Sequence, residues 1–324
     1  MRPRRPLLVA YRALGLGDLL TGVPALRALA DAFPGHRRVL AAPRALAPLA
    51  ALTGAVDAVA DTAPLAPPPA ALGRPDVAVN LHGRGPQSHA ALLATAPRRL
   101  VAFAHPGVPA SAGGAAWRAG EHEVARWCRL LREAGIPADP SRLDLPAPDV
   151  PAPQAAVGAT IVHPGAASPA RRWPAARWAA VARAEAAAGR RVAVTGGAGE
   201  RALAEGVARS AGLPADAVLA GRTDLAGLAA AVAAAARVIS GDTGIAHLAT
   251  ALGTPSVVLF GPTPPSLWGP PPDRPQHRVL WTGATGDPHG ATVDPGLLAI
   301  TVEHVLSALE AAGSALLTPG STGT

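Results

Sequence analysis

The sequence predicts an α/β protein with two doubly wound domains, each built on a parallel sheet. Short apolar runs alternate with helical segments along the chain, as in βαβ units. This alternation is interrupted once, by a proline-rich stretch near the middle. A length of 324 residues with 49% hydrophobic residues is enough for two separate cores. We therefore expect two Rossmann-like domains in tandem.

Five apolar runs predict the strands of the first sheet. They cover residues 7–10, 39–41, 56–60, 77–80 and 100–103. Val124, Trp127, Leu130 and Leu131 then recur at 3-4 spacing, which predicts an amphipathic helix over 122–134. Gly135 is a suitable helix stop.

The second half of the chain repeats the alternation. We predict strands at 160–162, 192–195, 218–220, 238–240 and 257–260, and helices at 175–188, 200–211, 224–235 and 244–252. Between the two halves, six prolines fall between Pro137 and Pro153, which favours an extended linker. The predicted segments are domains over 1–136 and 157–312, a linker over 137–156 and a disordered tail over 313–324. We expect ligands to bind in a cleft between the domains, at the carboxyl ends of the strands.

Composition limits the possible partners and compartment. The formal charge of +7 comes mostly from arginine and has no accompanying RNA-binding aromatic pattern, so we expect no nucleic-acid partner. A phosphorylated small molecule, transient contact with an anionic membrane surface, or a merely solvated surface would each fit that charge. Cys128 is the single cysteine, which is typical of a reducing compartment, and the longest alanine-rich run, over 225–236, is too short to span a bilayer. These features predict a cytoplasmic protein.

The first candidate site follows the first strand. Gly15 and Gly17 form a turn that lets backbone N–H groups approach a ligand, but Leu20 stands where a dinucleotide-binding motif requires glycine. Asp18 opens the next helix, either as a helix N-cap or as a catalytic carboxylate.

Two further stretches join a strand to a helix in the second half. Ser168, Arg171 and Arg172 lie in one of them, where two guanidinium groups could bind a diphosphate or simply lie in a solvated turn. Thr195, Gly196 and Glu200 lie in the other; here the glutamate could accept ribose hydroxyls or interact with the helix dipole.

The most informative stretch runs from Ser240 to Leu248. The strand at 238–240 leads into a turn that contains Asp242, Thr243 and Gly244. The helix that follows this turn therefore begins with free N–H groups suited to a phosphate. His247 lies four residues after Thr243 and therefore on the same helix face. The sequence contains no D-x-D, HExxH, P-loop or GxSxG motif, and we predict that cationic side chains replace a metal ion and that no cofactor is used.

These four stretches, in this order and spacing, resemble glycosyltransferase family 9, the heptosyltransferase-like proteins with the GT-B fold. The resemblance covers roughly residues 7–309. It implies that Asp18 is the general base and that the enzyme inverts the configuration of the sugar. Arg171 stands where the family usually has a phosphate-binding lysine, and Glu200 resembles its nucleoside-binding acid. The resemblance assigns the contacts to the donor diphosphate and sugar to Asp242, Thr243, Gly244 and His247.

The resemblance implies transfer of a sugar, with heptose from ADP-heptose as one candidate, from an ADP- or UDP-linked donor. The acceptor would be a saccharide or a lipid-linked saccharide, reached at the inner face of the plasma membrane. Gly17, His82 and Arg84 are candidate acceptor-side residues, although a plain strand-to-helix turn also explains the last two. Nothing in the sequence indicates an oligomeric state.

Three alternatives remain at this stage. The same scaffold could carry a nucleotide-sugar epimerase or hydrolase with different acid–base residues. A non-catalytic nucleotide-sugar-binding protein would need the donor site but not Asp18. A nicotinamide dehydrogenase is disfavoured by Leu20.

Overall fold

The computed structural model describes residues 5–314, which divide into two compact units, one up to Leu145 and one from Pro146 onward. The division falls inside the predicted linker. Each unit contains its own parallel five-stranded sheet, and α-helices join all consecutive strands except the third and fourth of the first sheet. The predicted α/β class with two doubly wound sheets is therefore confirmed. No helix in the described part of the chain is long and apolar enough to cross a membrane.

The first unit has the strand order β3-β2-β1-β4-β5. Its strands are β1 Leu7–Tyr11, β2 Arg37–Ala42, β3 Ala58–Asp61, β4 Val77–Asn80 and β5 Arg99–Val101. Its helices are α1 Leu16–Thr21, α2 Val23–Ala32, α3 Ala47–Leu52, α4 Gln87–Leu93 and α5 Glu123–Glu133. The central strands β1 and β4 are almost wholly buried, which explains their continuous apolar sequence.

Helix α5 has the predicted amphipathic pattern and packs against α2. Val124, Trp127, Leu130 and Leu131 are all buried. The chain leaves the helix at Gly135, whose φ of +80° is a left-handed conformation that glycine adopts without strain. The predicted helix stop is thus confirmed.

The second unit has the strand order β10-β9-β8-β6-β7. Its strands are β6 Thr160–His163, β7 Val192–Val194, β8 Arg237–Gly241, β9 Ser256–Leu259 and β10 His277–Leu280. Its helices are α6 Ala175–Ala187, α7 Arg201–Ala211, α8 Leu225–Ala234, α9 Gly244–Leu252, α10 Pro265–Trp268, α11 Pro295–Ala299 and α12 Val302–Ser314. The core between β6, β7 and their helices is centred on Trp173 and Trp178, whose rings meet edge to face at 5.0 Å.

Two details of the second sheet differ from the prediction. The predicted strand at 218–220 is wrong, because the structure pairs only Val218 with Val194, as an isolated bridge. Strand β10, which was not predicted, closes the other edge beside β9. At the C-terminus α12 reaches Ser314, and the rest of the predicted tail lies outside the described residues.

Candidate functional site

Three predicted segments of the second unit begin at the carboxyl edge of its sheet. They follow β6, β7 and β8, and the parallel register sets His163 opposite Ser240 and Gly241 opposite Leu259. The chain order reverses between β6 and β8, since β7 lies on one side of β6 and β8, β9 and β10 lie on the other. Such a switch point leaves a crevice in which open α/β sheets bind ligands.

Arg171 and Asp242 connect two of these segments across the switch point. Arg171 Nη1 donates to the main-chain oxygen of Asp242 at 3.3 Å and lies 4.0 Å from its Oδ2. Burial raises the pKa of Asp242 from 3.8 to about 6, and the nearby Arg171 charge only partly opposes this. Arg171 Nε is buried and has no hydrogen-bond partner among the described residues. The guanidinium therefore retains donor capacity for an anionic ligand.

Helix α9 begins beside this pair. Thr243 is its N-cap residue in extended conformation, and its hydroxyl makes no capping hydrogen bond. The first N–H groups of the helix, from Gly244 onward, are thus not capped by that side chain, which suits them to a phosphate. His247 lies one turn further along, with its ring edge-on to Trp268 at 5.8 Å.

A second group of residues surrounds Glu200. His163 Nδ1 lies 2.9 Å from Thr195 Oγ1, and His163 Nε2 lies 4.0 Å from Glu200 Oε2. Burial lowers the pKa of His163, against the opposing effect of the carboxylate. The Glu200 carboxylate accepts a 2.8 Å hydrogen bond from Gly197 N and covers Gly165, where a Cβ would lie only 2.1 Å from Glu200 Oε1. Glycine is needed at 165 for this close approach.

The remaining predicted donor residues lie at the border of this region. Ser168 donates its hydroxyl to the main-chain oxygen of Pro288 at 2.5 Å, so its proton is already engaged. Arg172 is exposed and donates through Nε to the Ala166 oxygen at 2.8 Å. Gly196 lies against Glu200, where a Cβ would come 3.1 Å from the glutamate Cβ.

The first unit carries Gly17 and Asp18 at its own switch point, directly after β1. Asp18 is the third residue of α1 rather than its N-cap, which is Gly15. Its carboxylate accepts a 3.3 Å hydrogen bond from Gly15 N, and 27% of its side chain is exposed. Burial raises the pKa of Asp18, Arg12 lowers it and Glu123 raises it further. A partly exposed carboxylate of raised pKa can accept a proton from a bound hydroxyl.

His82 and Arg84 follow β4 on the other side of the same switch point. The His82 ring stacks on Tyr11 with centroids 4.9 Å apart, and His82 N donates to Asn80 Oδ1 at 2.9 Å. Burial lowers the pKa of His82 to about 4, so the ring is neutral near pH 7, and its Nδ1 is buried without a hydrogen-bond partner. Arg84 is exposed.

Sequence reasoning missed the groups that support these residues. Arg12 contacts Asp18 from within the core, and it pairs with Glu123, which lies 111 positions away in the chain. The main chain of Pro288 and Gly290 holds the segment of Ser168 and Ala170. An arginine that ends the apolar run of the first strand, three residues before Gly15, was the available signal for the first contact. The described residues contain no cluster of three or more His, Cys, Asp or Glu side chains suited to a metal ion.

The chain is similar to known sugar-transferring enzymes. The model of glycosyltransferase family 9 (heptosyltransferase) matches residues 115–288, more than half of the chain. No curated protein matches the sequence.

Several solved structures have the same fold. The E. coli ADP-heptose lps heptosyltransferase II superposes with a TM-score of 0.76 at 21% identity, over 96% of this chain and 100% of that one. A glycosyltransferase family 9 protein from Veillonella parvula gives 0.76 at 20% identity, over 96% and 98%. The E. coli heptosyltransferase WaaC with ADP gives 0.68 at 20% identity, over 94% and 99%. These likenesses confirm the predicted GT-B fold.

Proposed function

The chain belongs to glycosyltransferase family 9, and we propose that it is an inverting enzyme that transfers a sugar from a nucleotide-sugar donor to an acceptor hydroxyl without a metal ion. Its membership in this family confirms the prediction of a heptosyltransferase-like glycosyltransferase. The observation that carries the finer proposal is the meeting of Arg171 and Asp242 beside the uncapped start of α9.

The donor diphosphate is assigned to this meeting point. Arg171 and Arg172 supply positive charge, and the N-terminus of α9 supplies N–H groups and the positive end of the helix dipole. These groups would stabilise the charge that grows on the leaving diphosphate, which is the role of a metal ion in other enzymes. Asp242 and His247 are assigned to the donor sugar, and Thr195, Gly196 and Glu200 to the nucleoside.

Asp18 is assigned as the general base. Its carboxylate is accessible and is held at the carboxyl edge of the first sheet, where an acceptor hydroxyl could donate its proton. As the proton leaves, the acceptor oxygen attacks the anomeric carbon, and the nucleoside diphosphate departs from the opposite face. Gly17, His82 and Arg84 are proposed acceptor-side residues, because they lie beside Asp18 in the chain or follow the neighbouring strand.

The donor is proposed to be an ADP-linked sugar, with ADP-heptose as the first candidate. The support is the fold shared with an E. coli enzyme described as an ADP-heptose lps heptosyltransferase and with another E. coli heptosyltransferase solved with ADP. A saccharide or lipid-linked saccharide is the proposed acceptor. We place the reaction in the cytoplasm at the inner face of the membrane, where the net positive charge favours contact with anionic lipid.

Calorimetric titration tests the donor site. The protein is titrated in EDTA with ADP, UDP, GDP and NAD, and the wild type is compared with Arg171→Ala. One nucleoside diphosphate should bind, and Arg171→Ala should weaken it roughly 10- to 100-fold, the loss of a hydrogen bond to a charged group. Arg191→Ala is the matched control, because Arg191 lies at the opposite end of the sheet, and within residues 5–314 its side chain donates only to the main-chain oxygens of 154 and 157. Binding of NAD alone, or equal loss in both variants, would refute the proposed site.

Asp18→Asn tests the catalytic half of the proposal. Transfer from ADP-heptose to a panel of saccharide acceptors should fall about 10²- to 10⁴-fold, the range for removal of a general base, while diphosphate affinity stays unchanged. The anomeric configuration of the product, measured by NMR, should be opposite to that of the donor. Retained configuration, or full activity of the variant, contradicts this mechanism.

A further inference from the structure

Arg12 is a fully buried cation next to the carboxylate assigned as the base. It is the residue after β1, and its side chain has no exposed surface. Its Nη2 lies 3.5 Å from Asp18 Oδ1 and 3.0 Å from Thr21 Oγ1. Its Nε donates to the main-chain oxygen of Asp18 and its Nη1 to that of Leu81. One side chain therefore ties together β1, α1 and the segment after β4.

Glu123 supplies the opposing charge from α5. Its Oε1 accepts hydrogen bonds from Arg12 Nη2 at 3.0 Å and from Trp127 Nε1 at 2.8 Å. Its other oxygen pairs with Arg126, and only 6% of the Glu123 side chain is exposed. Trp127 also lies under the Arg12 guanidinium, 4.9 Å from it. The Glu123 carboxylate is thus buried and is fixed by hydrogen bonds from three side chains.

The backbone leaves room for this arrangement. Gly22 lies between α1 and α2, and a Cβ there would come 3.0 Å from Arg12 Cδ and 3.1 Å from its Nε. A larger residue at position 22 would require the Arg12 side chain to shift by a few tenths of an ångström. Burial of a charge pair in this way is costly unless its geometry is well satisfied, as it is here.

We propose that Arg12 and Glu123 are positioning residues for Asp18: Arg12 orients its carboxylate and favours its charged form, and Glu123 holds Arg12 while offsetting part of its charge. The catalytic meaning of this inference rests on the proposed role of Asp18 as base. A general base must be ionised before the reaction and must also bind the proton that it removes. A buried arginine with no opposing charge would favour ionisation of Asp18 but would weaken its affinity for the proton. Glu123 sets the balance between them.

The charged groups near Asp18 come from two elements of the first unit. Arg12 approaches from the end of β1, and Glu123 and Arg126 approach from α5. His82, after β4, adds no charge near neutral pH because burial and Arg12 lower its pKa to about 4. In the intact protein, Arg12 lowers the pKa of Asp18 and Glu123 raises it. The two residues are therefore expected to act in opposite directions when each is removed.

The test is a titration of Asp18 itself by ¹³C NMR of the full-length protein labelled at aspartate Cγ, with the Asp18 signal identified by its loss in Asp18→Asn. In Glu123→Gln the titration midpoint should move to lower pH, because Arg12 is no longer offset. In Arg12→Gln it should move to higher pH. If Arg12→Gln does not fold, the direction seen in Glu123→Gln decides alone.

Glu185→Gln is the matched control, because Glu185 is an equally buried glutamate paired with two arginines, but in the second unit. It should leave the Asp18 midpoint unchanged. Transfer by Glu123→Gln should fall roughly 10- to 100-fold in kcat, as expected for a displaced catalytic group, with nucleoside diphosphate affinity unchanged. An Asp18 midpoint that stays fixed in Glu123→Gln overturns the inference and leaves a purely structural ion pair. Full activity of Asp18→Asn would instead refute the base, whatever the titration shows.

Discussion

At the scale of single residues, the candidate donor site contains a carboxyl group that the fold destabilises in its charged form. Asp242 is buried, and its one charged neighbour among the described contacts, Arg171, is 4.0 Å away. Buried carboxyl groups with a raised pKa are found at functional sites, where they interact with a ligand and do not stabilise the fold. At this position a charged carboxylate lowers the stability of the fold but is available to bind a ligand.

The protein without ligand should lose stability as pH rises through the titration of Asp242. Its folded-state pKa of about 6 lies above the unfolded value, so the folded form binds the proton more tightly, and this contribution disappears as pH rises. Asp242→Asn stays neutral at every pH. Its free energy of unfolding should match the wild type near about pH 4 and exceed it by up to about 3 kcal/mol above about pH 7.

Urea denaturation across that pH range measures this difference. Asp216→Asn, the same substitution at an exposed position of the second unit, is measured as the control. A constant difference for Asp242→Asn would mean that Asp242 is ionised at low pH and is compensated by its surroundings.

How far the site residues could be predicted depends on how local each contact is. Asp18, Arg171 and Asp242 directly follow buried strands in glycine-containing turns, so short sequence patterns locate them. Arg12 and Glu123 meet only because α5 packs near the end of β1, and no local pattern encodes a pair 111 positions apart. The assigned roles of all these residues remain predictions.

At the scale of elements, two helices of the second unit begin with typical N-cap residues that behave differently. Asp224 caps α8 by accepting a 2.8 Å hydrogen bond from Gly227 N. Thr243 caps α9 by position only, since its hydroxyl makes no such bond. The first N–H groups of α9 are therefore not satisfied by its N-cap side chain, as the proposed diphosphate site requires.

Alanine substitutions should separate these two roles. Asp224→Ala should lower the free energy of unfolding by about 1 kcal/mol, the usual value of an N-cap bond, and Thr243→Ala should lower it by less than half of that. The order should reverse for nucleoside diphosphate affinity. Thr243→Ala should weaken it, because the Thr243 hydroxyl makes no capping bond and is available to the diphosphate, and Asp224→Ala should leave it unchanged. Equal losses of stability in thermal and urea unfolding would contradict the assignment of α9 as an open helix terminus.

Most elements were predictable because buried parallel strands have continuous apolar sequences. The exceptions lie at the edges of the second sheet. Strand β10 begins with His277 and Arg278 and is only partly buried, so its sequence lacks the apolar run of an inner strand. Residues 218–220 are apolar but follow Pro214 and precede Gly221, and they form only one bridge. The hydrophobicity of residues 218–220 thus predicts their burial correctly, but it does not predict whether they pair with a neighbouring strand.

At the scale of the whole molecule, each unit has its own switch point with polar residues on both sides. In the first unit these are Asp18 after β1 and His82 after β4; in the second they are Arg171 after β6 and Asp242 after β8. The proline-rich segment identified from composition contains the division between the units at Leu145. The division of labour proposed here assigns the base to the first unit and the nucleotide to the second.

Hydrogen exchange on the full chain tests that division directly. A saturating nucleoside diphosphate should slow exchange in the second unit at residues 164–172, 195–200 and 242–247, because ligand binding to the native state suppresses local opening where the contacts are made. The slowing should be lost in Arg171→Ala and kept in Arg191→Ala at equal ligand concentration. Residues 15–22 and 81–86 of the first unit should respond to an acceptor saccharide more than to the diphosphate. Protection by the diphosphate that is strongest at 15–22 would mean that the nucleotide binds at the glycine turn after β1, and Asp18 would then have to be reassigned from the acceptor to the donor.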